Sequence, residues 1–186
     1  MRTVKVYLAG MMKWLDSEDS IWKCCVPALK EEIRRLMPQD VEVLSPDEVG
    51  FDHGGDLVYG IVEADIKLID DADLLVAVFS TPNQVGTITE LLHALSSGKQ
   101  CLAVFTDNVV SVGGLGIGPQ VIKRPLEVRC ESDHYWFLIN YLVRYKIQCT
   151  VVAARPEDVD IAILRWLKRL ASCKRALSGG NRCRIE

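Results

Sequence analysis

The residues best suited to chemistry are carboxylates set beside apolar segments. Glu90 lies in "VGTITELLHAL" (85–95), where an apolar helical run begins. Thr87 and Glu90 have the spacing of a helix capping box, in which both side chains bind free backbone N–H groups. A carboxylate at the mouth of a parallel sheet can instead act as a nucleophile or a general acid/base, and residue type alone leaves both readings open. Asp65, in "IVEADIKLIDDAD" (61–73), lies on or beside the face shared by Ile61, Ala64 and Leu68. An unpaired carboxylate is costly to bury there, so Asp65 either stays at a solvated rim or projects into a ligand crevice. Asp73 reads as a turn or cap residue. Tyr7, within "VKVYLAG", reads on residue type as a core aromatic.

Other chemistries find less support. The turn "LAGMMK" after the first apolar run lacks both the G-x-G-x-x-G and the P-loop spacing, which argues against dinucleotide and nucleoside triphosphate binding. Gly10 can still turn the chain tightly and let a ligand approach the backbone. His53, His93 and His134 have no Ser, Cys or Asp partner at a recognisable spacing, although His93 follows Glu90 by one helical turn. Thr106, Asp107 and Asn108 read equally well as pocket lining and as loop. Seven cysteines are scattered without a C-x-x-C, so neither a metal site nor a disulfide framework is expected, and no cofactor is implied. A reduced, cytoplasmic setting follows, with no signal-peptide layout and no apolar run of membrane-spanning length.

Net charge is −3, with −7 on residues 1–154 and +4 on residues 155–186. In "PEDVDIAILRWLKRLASCKR" acidic residues come first and basic ones last. That order suits a helix dipole, and no nucleic-acid polymer is needed to explain it.

These residues need a scaffold. Strand-like runs at 3–9, 41–45, 73–80, 100–105, 126–130 and 147–153 alternate with helical stripes. The stripes are Trp22/Val26/Leu29/Ile33/Leu36, Tyr135/Leu138/Ile139/Leu142 and Val159/Ile163/Trp166/Leu170, with a further helix over about 57–71. The alternation predicts an α/β fold, a doubly wound and mostly parallel sheet with helices on both faces. "LLVAVF" (74–79) lacks polar alternation, as a central strand covered on both faces should. We read 1–154 as the principal domain and 155–186 as a C-terminal helix and basic tail packed on or extending it. "SVGGLGIGP" (111–119) reads as a flexible loop or a lid. With strand order 2-1-3-4-5, the ligand crevice lies between strands 1 and 3, where "AGMMKW" and "STPNQVGTITE" meet.

The segments "VYLAG", "IVEAD…ADLLVAVFSTP" and "GTITELLHALSSGKQCLAVF" resemble the nucleoside 2-deoxyribosyltransferase family, which includes the 2′-deoxynucleoside 5′-phosphate N-hydrolases. The likeness covers roughly residues 3–145 with motif order kept. It implies a flavodoxin-like fold and cleavage of the N-glycosidic bond between a base and a deoxyribose, with small-molecule nucleosides, nucleotides and free bases as partners. It also implies a homodimer or higher homo-oligomer. By this resemblance Glu90, with Gly86 four residues before it, matches the catalytic glutamate. Asp65 matches an active-site aspartate and Tyr7 a pocket tyrosine.

Asn83 and Gln84 fall where the family contacts the sugar's 5′ group; Gln84 stands in place of the Asp of nucleoside-specific members or the Ser of nucleotide hydrolases. Met11 replaces a phosphate-binding Ser, while Lys13 keeps a basic residue. An Asn that transferases supply from a neighbouring subunit has no counterpart near Pro119–Gln120. The expectation is deoxyribosyl transfer through a glycosyl-Glu90 intermediate, with hydrolysis of a nucleoside 5′-monophosphate as the enzymatic alternative. A silent nucleotide sensor on the same fold is the non-catalytic one. "GTITELL" also resembles the G-T-x-x-E of cytokinin-type phosphoribohydrolases, but "PNQV" stands in place of their Pro-Gly-Gly.

Overall fold

The computed structural model describes residues 3–10, 31, 35, 41–45, 57–113, 116–125 and 128–178. The expected stripe from Trp22 to Leu36, His53 and the basic tail after 178 lie outside these residues, apart from isolated helical positions at Glu31 and Arg35. Eight strands occur among the described residues: β1 (Val4–Ala9), β2 (Val41–Leu44), β3 (Leu74–Phe79), β4 (Gln100–Thr106), β5 (Val110–Val112), β6 (Gln120–Val121), β7 (Val128–Cys130) and β8 (Cys149–Ala154). Interspersed are α1 (Leu57–Asp71), α2 (Val85–Ser96), α3 (Asp133–Tyr145) and α4 (Val159–Ser178), with a 3₁₀ turn at Pro156–Asp158 before α4.

The main sheet has the order β2-β1-β3-β4-β8-β6, parallel throughout except for the antiparallel edge strand β6. Its parallel part is the expected 2-1-3-4-5 arrangement. Successive side chains point to opposite faces, which sorts the apolar residues into two cores. Tyr7, Ala9, Leu75, Ala77, Phe79, Ala103 and Phe105 face one way, towards Ile69 of α1, Leu91 and Ala94 of α2, and Leu138 and Leu142 of α3. Val6, Leu8, Val76, Val78, Leu102, Val104 and Val152 face the other, covered by Val159, Ala162, Ile163 and Trp166 of α4. All six residues of β3 are buried, as the unbroken apolar run requires.

Two details differ from the sequence reading. The 126–130 run contributes only β7, which pairs antiparallel with β5 in a separate two-stranded sheet. Strands this short carry little periodicity, so neither β5 nor β6 stands out in the sequence. The glycine-rich loop is therefore bounded on both sides by strands.

Candidate functional site

Tyr7 is fully buried within β1, one strand from β3, and its hydroxyl donates a 2.8 Å hydrogen bond to Glu90 Oε1 on α2. The helix carrying Glu90 begins at Val85, three residues before the capping-box reading puts it, with Gln84 at the N-cap. Glu90 therefore sits in the second turn, past the free N–H groups, and cannot be a capping partner of Thr87. Thr87 is itself buried, its hydroxyl taken by the Gln84 amide at 3.3 Å rather than by a backbone N–H. The geometry thus excludes the bland role for Glu90 and leaves its carboxylate held by a phenol.

The environment makes that carboxylate unusual. Burial pushes the Glu90 pKa up to about 7; the Tyr7 hydrogen bond works against this, and the negative charge of Asp65 adds to it. Asp65, on α1, is raised by burial to about 6. Tyr7 is raised far above its ordinary value by burial and by the two carboxylates, so it stays a hydrogen-bond donor at any working pH. Tyr7, Glu90 and Asp65 thus form one electrostatically coupled group near the carboxyl end of β1 and the start of α2.

The β3–α2 loop beside them is rigidly tied. Gln84 Oε1 accepts from Ser80 N (2.7 Å) and Thr81 N (3.0 Å), and Nε2 donates to Val78 O (3.0 Å) as well as to Thr87. Both ends of the amide are therefore engaged inside the protein, and the side chain is 8% exposed. Facing a sugar 5′ group would require breaking these bonds. Tyr135 completes the lock, accepting from Gln84 N (3.0 Å) and donating to Thr81 O (2.7 Å). Its ring lies edge-on to the stacked pair Phe79–Phe105, so an aromatic cluster supports the loop from below. The sequence shows Tyr135 only as one member of a helical stripe. The clue to the lock was Gln84 itself, a long amide placed directly after a Thr-Pro-Asn turn.

Asn83 is exposed with φ of +68°, a left-handed conformation that Asn tolerates better than most residues. Gly86 is exposed in the first turn of α2, where an added Cβ would meet nothing within 4 Å. Gly10 follows β1 directly at the same sheet end. Met11 and Lys13 lie outside the described residues.

Of the remaining candidates, His93 pairs with Asp70 of α1 (2.9 Å), joining α1 to α2 away from Glu90. Asp73 accepts from Lys5 N (3.0 Å) and acts as a strand-entry clasp. Thr106 is buried on the α4 side of the sheet, opposite Tyr7, and its hydroxyl has no partner among the described residues; Asp107 and Asn108 are exposed in the turn that follows. Among the described residues no cluster of three or more metal-ligating side chains occurs, and no helix is long and apolar enough to cross a membrane. A groove of about 410 Å³ between α2 and α3, lined by Ile88, Leu92, Phe137 and Tyr141 among others, does not include Glu90.

Comparison with known proteins follows this geometry. No curated protein matches the chain in sequence. Three solved structures resemble it at low identity. A CMP N-glycosidase of Clostridium botulinum shares 18% identity over 89% of this chain and 98% of its own, with a TM-score of 0.49. A 2-deoxyribosyltransferase of Leishmania mexicana shares 20% over 77% and 99%, with a TM-score of 0.42. A 2-deoxyribosyltransferase of Bacillus psychrosaccharolyticus shares 21% over 55% and 72%, with a TM-score of 0.40. The family model described as nucleoside 2-deoxyribosyltransferase matches residues 6–135, a span holding Tyr7, Asp65 and Glu90 and well over half of the chain. The chain therefore belongs to the nucleoside 2-deoxyribosyltransferase family and is an enzyme of that kind.

Proposed function

We propose that the protein transfers a 2-deoxyribosyl group between bases through a covalent glycosyl-Glu90 intermediate. The observation that carries this reading is the part-buried Tyr7–Glu90 hydrogen bond, which aims and restrains a carboxylate that has no capping role. In the first step a Glu90 carboxylate oxygen attacks C1′ while the C1′–N bond breaks and its electron pair leaves with the base. Asp65, whose charge Glu90 feels, orients that base or the sugar, and the departing base takes its proton from solvent. In the second step a nitrogen of the acceptor base attacks C1′ and gives up its proton to solvent, the ester opens, and the Glu90 carboxylate is restored. Water in place of the acceptor base gives hydrolysis by the same residues.

Tyr7 tunes this cycle. Glu90 must be ionised to attack, and burial alone disfavours that form. A phenol donating to the carboxylate favours it, and the same phenol can follow the oxygen as the ester forms and breaks. The backbone at Gly10 and Gly86 and the exposed Asn83 are the groups we assign to the substrate in the described part of the crevice; Met11 and Lys13 are assigned to it by the family resemblance alone. Gln84 acts from behind, by fixing the loop. Assembly as a homodimer or higher oligomer belongs to the same reading.

The test is incubation with a deoxynucleoside, with and without a free acceptor base, following both bases chromatographically. New nucleoside formed only when the acceptor is present supports transfer; base release at the same rate in both arms assigns hydrolysis. Unchanged turnover in Glu90→Ala would refute the role of Glu90.

A further inference from the structure

Helix α3 carries two apolar stripes, and the core takes only one of them. Tyr135, Leu138, Ile139 and Leu142 are buried against the sheet. Phe137 and Tyr141 lie to one side of that stripe, Phe137 being 68% exposed and Tyr141 half-buried. They form one wall of the groove of about 410 Å³, and Ile88 and Leu92 of α2 form the other. Val85, exposed at the start of α2, extends that second wall at helical spacing. Single exposed apolar residues are ordinary, whereas a continuous apolar groove marks a docking surface. Most of α3 comes after the family match ends at residue 135, so that match does not account for this surface.

Shape and charge both fit a second copy of the same chain. A two-fold contact needs one patch that holds a projection and the recess to receive it. Phe137 is such a projection, standing at the rim of the groove. His134, Phe137, Tyr141 and Arg144 recur at intervals of three, four and three, the spacing of a seam between two helices. Asp133 opens α3 and Arg144 lies in its last turn, both exposed and both on the same edge of that seam. Neither forms an ion pair among the described residues; Arg144 rests only over the Tyr145 ring, 5.7 Å from its centroid. Antiparallel pairing about a two-fold axis brings like edges together, so Asp133 of each copy meets the partner's Arg144 and the two helix dipoles oppose each other. Parallel pairing would instead bring like ends together.

We propose that two copies dimerise through the α2–α3 groove, with their α3 helices antiparallel and each Phe137 seated between the other copy's α2 and α3. The proposal rests on the reading above that the protein assembles with itself, and it gives that assembly a surface. The walls of the groove are the helices that bear Glu90 and Tyr135, so the dimer clasps the two elements that hold the β3–α2 loop.

The experiment is sedimentation velocity of the full chain over roughly 0.1 to 100 μM, a range that spans ordinary dimer affinities. The native protein should dimerise, and Phe137→Glu should weaken the dimer roughly a hundredfold or more, because a central aromatic is lost from both copies. Asp133→Arg and Arg144→Asp should each weaken it roughly tenfold, and the two together should return to within about threefold of native. All three positions are exposed, so the variants keep the fold, which circular dichroism checks. A native protein that stays monomeric overturns both the proposal and the assembly reading, and leaves the groove to a different partner. A native dimer unaffected by Phe137→Glu overturns the proposal alone and places assembly on another face. Additive loss in the double charge variant overturns the antiparallel pairing. The readout is mass rather than turnover, so each result holds whether or not Glu90 carries the sugar.

Discussion

The two faces of the sheet treat charge in opposite ways. On the face that carries Tyr7, ionisable groups are partly withdrawn from water: Glu90 and Asp65 rise to about 7 and 6, chiefly through burial. On the α4 face the cations Arg165 and Arg169 stay exposed beside a cleft. Burial strengthens a carboxylate's interactions and brings its titration into the working range, at a cost in stability. The same β-strands thus draw ionisable groups inward on one side and leave cations exposed on the other.

The contrast breaks most severely at Glu90. Glu90→Gln keeps the size and the Tyr7 hydrogen bond but removes the nucleophile, and turnover should fall by roughly a thousandfold or more, as for other essential nucleophiles. Steady-state base release measures it, and near-normal turnover would show that Glu90 does no chemistry. The next effect is Tyr7→Phe. Losing the donor that lowers the Glu90 pKa raises that pKa further, so the acid limb of the rate profile, expected near pH 7, should move to higher pH. Activity near neutrality should drop roughly tenfold to a hundredfold and recover in part at alkaline pH. A uniform loss at all pH values would assign Tyr7 to substrate contact alone.

Stability should show the cost directly. Because the folded pKa of Glu90 lies above its ordinary 4.5, ionisation opposes folding. The penalty is absent below about pH 4.5, grows as pH rises towards 7, and is constant above that. Glu90→Gln should therefore be more stable than the native protein at pH 8, by on the order of 3 kcal/mol, with the difference vanishing near pH 4.5. Denaturant unfolding at the two pH values measures it. A variant less stable than the native protein at pH 8 would contradict the burial account.

Gln84→Leu should destabilise by about 2 kcal/mol, since buried Ser80 N, Thr81 N and Val78 O lose their partner. Its turnover should fall through loosening of the loop, for nucleosides and 5′-monophosphates alike. A loss confined to the monophosphate would return Gln84 to the 5′ group. The smallest effect belongs to the far face: Arg165→Gln should leave turnover of deoxynucleosides within about twofold and stability within about 0.5 kcal/mol, as for exposed positions generally.

Much of this architecture is written in periodicity. The six-residue apolar run of β3 and the alternation of strand-like runs with helical stripes predict a parallel sheet buried on both sides, and the helices from Leu57, Asp133 and Val159 follow from apolar spacing of three and four. What escapes the sequence is what depends on single long-range contacts. The capping-box spacing of Thr87 and Glu90 is genuine, yet the helix starts earlier because the Gln84 amide ties down the preceding turn. The Tyr7–Glu90 bond spans 83 positions along the chain, and no local pattern encodes it; only the topology brings the carboxyl end of β1 next to α2. The likeness to a family pointed to both residues, and the hydrogen bond supplies the physical reason they belong together.

The central claim is that Glu90 carries the sugar during turnover. Rapid acid quenching of the enzyme with a deoxynucleoside and no acceptor base, followed by peptide mass spectrometry, tests it most directly. The account predicts a mass increase of one deoxyribosyl unit on the peptide containing Glu90, absent from Glu90→Gln and discharged when an acceptor base is added before the quench. A deoxyribosyl adduct on any other residue that forms and discharges at the rate of turnover, with Glu90→Gln still active, would contradict it.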